Sequence, residues 1–70
     1  MALNGTIRVN GAQEPLAVLT VAELLAEKGV GERRGVAVAL NGHVVLRKAW
    51  SETRLKAGDR IEIVHARQGG

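Results

Sequence analysis

Two of the chain's three Asn-Gly dipeptides, Asn10-Gly11 and Asn41-Gly42, constrain it more than any other feature. Asn and Gly both tolerate positive φ, the requirement of the two-residue turn whose twist matches a β-hairpin. Before the first pair, Thr6-Ile7-Arg8-Val9 alternates polar and apolar residues; after it, Glu14-Pro15-Leu16-Ala17-Val18 is the expected returning strand. Pro15 cannot donate a ladder hydrogen bond, which assigns that strand to a sheet edge. The second pair separates Val36-Ala37-Val38-Ala39-Leu40 from Val44-Val45-Leu46. Val36–Leu40 has no polar residue on either face, and such a run predicts a central strand covered on both sides.

Between the hairpins lies one helix with both ends signalled. Thr20-Val21-Ala22-Glu23 matches a capping box, in which the Thr20 hydroxyl accepts from the Glu23 N–H and the Glu23 carboxylate reaches back to the cap. Val21, Leu24 and Leu25 share a face, and Gly29 stands where a left-handed residue ends a helix, with Val30 placed to close against Leu25. Further on, Lys48-Ala49-Trp50 suggests a short helical turn, Lys56-Ala57-Gly58-Asp59 a tight turn, and Arg60 to Ala66 a final alternating strand. This order predicts a two-layer α+β domain: a mixed sheet of about five strands with one helix across one face. The first and last strands are expected side by side at its centre. Residues 1–66 form the domain and 67–70 a flexible tail ending in Gly-Gly.

Composition removes most functional classes. Without cysteine there is no disulfide framework, thiol nucleophile or zinc knuckle, which suits a reducing cytoplasm. No signal-peptide pattern is visible, and no apolar run approaches the roughly 20 residues of a membrane span. Ser51, Asp59, His43 and His65 show no triad spacing; Asp59 reads as a turn residue, His43 as a solvated hairpin tip and His65 as a strand-surface residue. Two isolated histidines make a poor metal site, and the glycines lack the Gly-Lys-Ser/Thr ending of a phosphate loop. The net charge of +3 comes from basic residues interleaved with acidic ones, and Trp50, the sole aromatic and an expected core filler, cannot form a base-stacking platform. Neither nucleic acid nor membrane is therefore the expected partner.

What remains is the end of the chain. Gly69 and Gly70 follow the last strand through only Arg67 and Gln68. Two residues without Cβ can pass a narrow channel, and a terminal glycine leaves its carboxylate sterically open. On these residues alone, a reactive end and a frayed terminus or cloning scar both stand. The strand Val36-Ala37-Val38-Ala39-Leu40-Asn41-Gly42, Trp50, the segment Leu55-Lys56-Ala57-Gly58-Asp59-Arg60-Ile61-Glu62-Ile63 and Gly69-Gly70 together resemble the ThiS family, sulfur carriers of thiamin biosynthesis. The resemblance covers nearly the whole chain and implies a ubiquitin-like β-grasp fold. Leu46 departs from it, since relatives often carry proline before Arg47, and His43 replaces a residue that is often acidic.

The resemblance implies a carrier rather than an enzyme, binding no cofactor itself. A ThiF-like adenylyltransferase would use ATP and magnesium to convert the Gly70 carboxylate into an acyl-adenylate. A sulfur donor system drawing on cysteine would then displace AMP to leave a thiocarboxylate, which a ThiG-like thiazole synthase would consume. Gly69, Gln68 and Arg67 would thread the tail, Arg67 pairing with an acidic groove. If Ile61 and Ile63 enter the core, Val64 and Ala66 face outward, and Leu46 joins them as a partner-binding face on a chain expected to be monomeric when free. The alternatives are a MoaD-like small subunit of molybdopterin synthase, a ubiquitin-like protein modifier and a small RNA-binding domain.

Overall fold

The computed structural model describes residues 5–65. The elements run β1 (Thr6–Val9), β2 (Ala12–Pro15), α1 (Val21–Glu27), β3 (Val36–Leu40), β4 (His43–Val45), a 3-10 helix (Arg47–Glu52) and β5 (Arg60–His65). The five strands form one sheet in the order β2-β1-β5-β3-β4. β1 and β5 are parallel neighbours, while β1–β2, β3–β4 and β3–β5 are antiparallel. The last strand is thus the central one, with the first beside it, as the sequence order implied. Ala66, the expected end of that strand, and the tail Arg67–Gly70 lie outside the described residues.

Asn10-Gly11 and Asn41-Gly42 both make the expected turns. Asn10 and Asn41 each sit at φ 52°, followed by Gly11 at 84° and Gly42 at 87°. Such a turn pairs its flanking residues at once, so β2 begins at Ala12 opposite Val9 and ends at Pro15 opposite Thr6. The returning strand therefore lies earlier than the expected Glu14–Val18. It is still an edge strand, and Leu16 turns down into the core.

Each turn asparagine also binds β5. Asn10 Oδ1 accepts from the Ile63 N–H at 2.8 Å and its Nδ2 donates to the Ile63 carbonyl at 3.2 Å, replacing a missing strand neighbour. Asn41 Oδ1 accepts from the Arg60 N–H at 2.8 Å, and its Nδ2 donates to Asp59 Oδ1 at 3.0 Å. The second Asp59 oxygen accepts from the Lys56 N–H at 2.8 Å. Asp59 is the expected turn residue, but it is buried and joins the turn to the β3–β4 hairpin, a tie that local spacing does not reveal.

The helix is short and closed at both ends. Thr20 Oγ1 accepts from the Glu23 N–H at 3.2 Å. The Glu23 carboxylate accepts from Leu19 N–H at 2.8 Å, one residue before the expected cap. At the other end Val30 N–H donates to Leu25 O and Gly29 N–H to Ala26 O, both at 3.0 Å, with Gly29 at φ 76°. This is the Schellman pair that Gly29 and Val30 suggested.

Val21, Leu24 and Leu25 are fully enclosed against Ile7, Val9, Val38, Ile61 and Ile63 from the sheet, with Leu16, Trp50 and Leu55 completing the core. Trp50 donates its indole N–H to Val45 O at 2.9 Å, and the Arg47 guanidinium stacks 4.5 Å above its ring. Arg47 also donates to Gly31 O and Arg33 O, pinning the loop before β3. Leu46 precedes the 3-10 helix at φ −66° and ψ 150°, a φ that a proline ring would also adopt, so the backbone entering the Trp50 segment does not depend on having proline there.

One expectation fails. β3 is flanked by strands on both edges but covered on one face only: Val38 is buried while Ala37 is exposed. All the helical structure lies on the Val38 side, and the unbroken apolar run reflects two small alanines on an open face rather than a second covering layer. The core itself yields a direct test. Leu25→Ala is expected to cost about 3 kcal/mol, since a cavity opens at a fully enclosed site. A urea midpoint unchanged from wild type would contradict the packing described.

Candidate functional site

The uncovered face follows from strand alternation. In β5, Ile61 and Ile63 point into the core, so Arg60, Glu62 and Val64 point outward. Register then sets their neighbours: Val64 lies opposite Ala37, and Glu62 opposite Ala39, which in turn faces Val44. Leu46, two residues beyond Val44 and just past the end of β4, is exposed as Val44 is. Val44, Leu46 and Val64 are 74%, 59% and 58% exposed, and Ala37 between them is exposed as well. Singly exposed apolar residues are common on any protein, whereas a cluster across three adjacent strands marks a surface suited to a partner.

Two of the expected face residues, Val64 and Leu46, thus meet on one side of the sheet. The third, Ala66, lies outside the described residues, as do Arg67, Gln68, Gly69 and Gly70. Sequence reading missed Ala37, Ala39 and Val44. Their signal was present in the apolar run of β3, where small side chains occupy alternate positions, but double coverage explained that run equally well. Because these side chains gain little from folding, exchanging Leu46 and Val64 together for serine should shift unfolding free energy by no more than about 0.5 kcal/mol. Chemical denaturation checks this, and a larger loss would mean that the patch supports the fold.

No catalytic constellation forms among the described residues. Asp59 is committed to Asn41 and to the Lys56 N–H, while Ser51, His43 and His65 are all exposed. No three His, Asp or Glu side chains gather there in a metal-binding group. No helix is long and apolar enough to cross a membrane.

The model of the ThiS family matches residues 2–70. The sulfur carrier protein ThiS of Thermus thermophilus is 42% identical over 62 residues, which cover 89% of this chain and 95% of that protein. The crystal structure of the thiamine biosynthesis protein ThiS from Geobacter metallireducens superposes with a TM-score of 0.78 at 35% identity, covering 93% of this chain and 99% of that one. The solution structure of a thiamine biosynthesis protein from the same organism gives 0.74 at 35% identity, covering 93% and 87%. The strand order and single helix are those of the ubiquitin-like β-grasp of these neighbours. The chain accordingly belongs to the ThiS family, the sulfur carrier proteins of thiamin biosynthesis.

Proposed function

We propose that the sulfur is carried on the carboxyl carbon of Gly70 and that the open sheet face presents this end to its partners. The observation that carries the reading is that β5, the strand that precedes Gly69-Gly70 in the chain, also bears Val64 on one side of the exposed apolar cluster. The same strand therefore carries part of the docking surface and comes immediately before the tail in sequence. The family match extends through residue 70 and so includes the diglycine.

The reaction follows from carboxylate chemistry. A carboxylate resists nucleophiles because its leaving group would be oxide. Attack of a Gly70 oxygen on the α-phosphorus of ATP expels pyrophosphate and gives a mixed anhydride whose leaving group is AMP. A sulfide-level nucleophile derived from cysteine then adds to the carbonyl carbon, and AMP departs to leave the thiocarboxylate. A ThiF-like adenylyltransferase supplies the magnesium and the cationic groups that stabilise the phosphates. A ThiG-like thiazole synthase is the acceptor. This chain contributes the open end, the narrow Gly69-Gly70 passage, Gln68 and Arg67 as the threading segment, and the face formed by Val64, Leu46 and Ala66.

Intact-mass spectrometry tests the reading. After incubation with ATP, the activating enzyme and a sulfur donor, one oxygen should be exchanged for sulfur at Gly70, and deletion of Gly70 should abolish the change. Sulfur incorporation that persists without Gly70 would sink the proposal.

A further inference from the structure

The open sheet face has a second half, and its composition differs. Arg8 and Arg60 are register partners in the parallel pair β1–β5. Their neighbours Ile7, Val9 and Ile61 are buried, so both guanidinium groups project from the same face as Val64. They line an open depression of about 310 Å³ with Gly11, Gly42, Ile61 and Glu62. Like charges directly across a strand pair oppose folding. The pair is not neutralised internally: among the described residues the one ion pair is Lys28–Glu14, at 2.9 Å on the other side of the sheet. Glu62, the nearest carboxylate along β5, makes no ion pair with either arginine. Arg8 reaches only the Gly11 carbonyl, at 3.4 Å.

Two uncompensated arginines beside an apolar cluster define the chemistry of what fits there. We propose that Arg8 and Arg60 form the charged half of the docking face and receive a pair of carboxylates on the activating partner, next to the apolar surface that covers Val64, Val44 and Leu46. The inference rests on the docking role given to that face above. Guanidinium groups suit carboxylates because they can donate two parallel hydrogen bonds. The arginines lie on the central strand β5 and its neighbour β1, so a partner centred on Val64 crosses them without turning a corner. A nucleic acid fits less well. No aromatic side chain stands on this face, the sole Trp50 being buried on the other, and Glu62 would repel a phosphate chain.

Charged groups at the rim of an interface act mainly on encounter, whereas its apolar centre acts on dissociation. Association of the intact chain with its ATP-dependent activating enzyme can be followed by stopped flow at low and high salt. Replacing both arginines by alanine should slow association about tenfold at low salt and flatten its salt dependence, with dissociation little changed. R8K/R60K should keep the salt dependence, and V64D should speed dissociation instead. The thermal midpoint of R8A/R60A should equal or exceed that of wild type, because a repulsive pair is removed. If V64D weakens binding while R8A/R60A leaves both rates and their salt dependence unchanged, the carboxylate pairing is wrong and the apolar docking face stands. If neither variant alters binding, the docking reading itself fails, and the carboxylate pairing with it. If R8A/R60A abolishes binding to a single-stranded RNA oligonucleotide but not association with the enzyme, the arginines serve nucleic acid and the inference is overturned.

Discussion

The sheet depends on β5. In the order β2-β1-β5-β3-β4, two local hairpins are joined to one another only through the last strand, parallel to β1 on one side and antiparallel to β3 on the other. An isolated two-stranded hairpin is marginal in water, so neither half is expected to persist until β5 enters. The strand is held by more than its ladders. Asn10 bonds both polar atoms of the Ile63 backbone, and Asn41 accepts from the Arg60 N–H while its amide reaches Asp59. The residues that make the two turns are therefore the same residues that clamp the central strand. That double use explains why Asn suits these positions better than another residue able to reach positive φ.

A second constraint is the size of the covering layer. A helix of seven residues is about 10 Å long, while five strands span roughly 19 Å. One such helix cannot cover even one face by itself. The 3-10 helix, Leu16 and Leu55 complete that side, and among the described residues nothing comparable lies on the other. The opposite face is thus exposed by geometry, and its residues are free to be chosen for a partner. It divides into apolar positions on β3, β4 and the end of β5, and polar ones on β1 and the start of β5. β5 runs from Arg60 through Val64 across this face and is the last described strand before the diglycine in sequence. On the proposed reading this arrangement separates tasks: the sheet would supply recognition, and the chain end a reacting group free of side chains.

Local chemistry was legible wherever it was decided by nearby residues. Both Asn-Gly turns, the Thr20 cap and the Gly29–Val30 helix ending depend on contacts a few residues apart, and the sequence placed each of them correctly. Small errors arose at the ends of elements. Glu23 bonds Leu19 rather than the cap itself, and β2 begins as soon as the two-residue turn permits rather than at Glu14. The alternating Ile61 and Ile63 identified the core face of β5, and with it the exposure of Val64.

The amino-acid sequence by itself determined the element order, the two-layer class, the membership suggested by Val36–Gly42, Leu55–Ile63 and Gly69-Gly70, and the absence of thiol chemistry. These follow from periodicity, turn chemistry and composition, which are local or additive properties. Only the tertiary structure decided that β3 is open on one side, that Ala37 and Val44 join Leu46 and Val64 in one patch, and that Arg8 stands beside Arg60. Each of those outcomes is a matter of register between strands far apart in the chain. Nothing in an apolar pentapeptide records whether a second layer will cover it, and nothing near Arg8 records which residue β5 will place alongside.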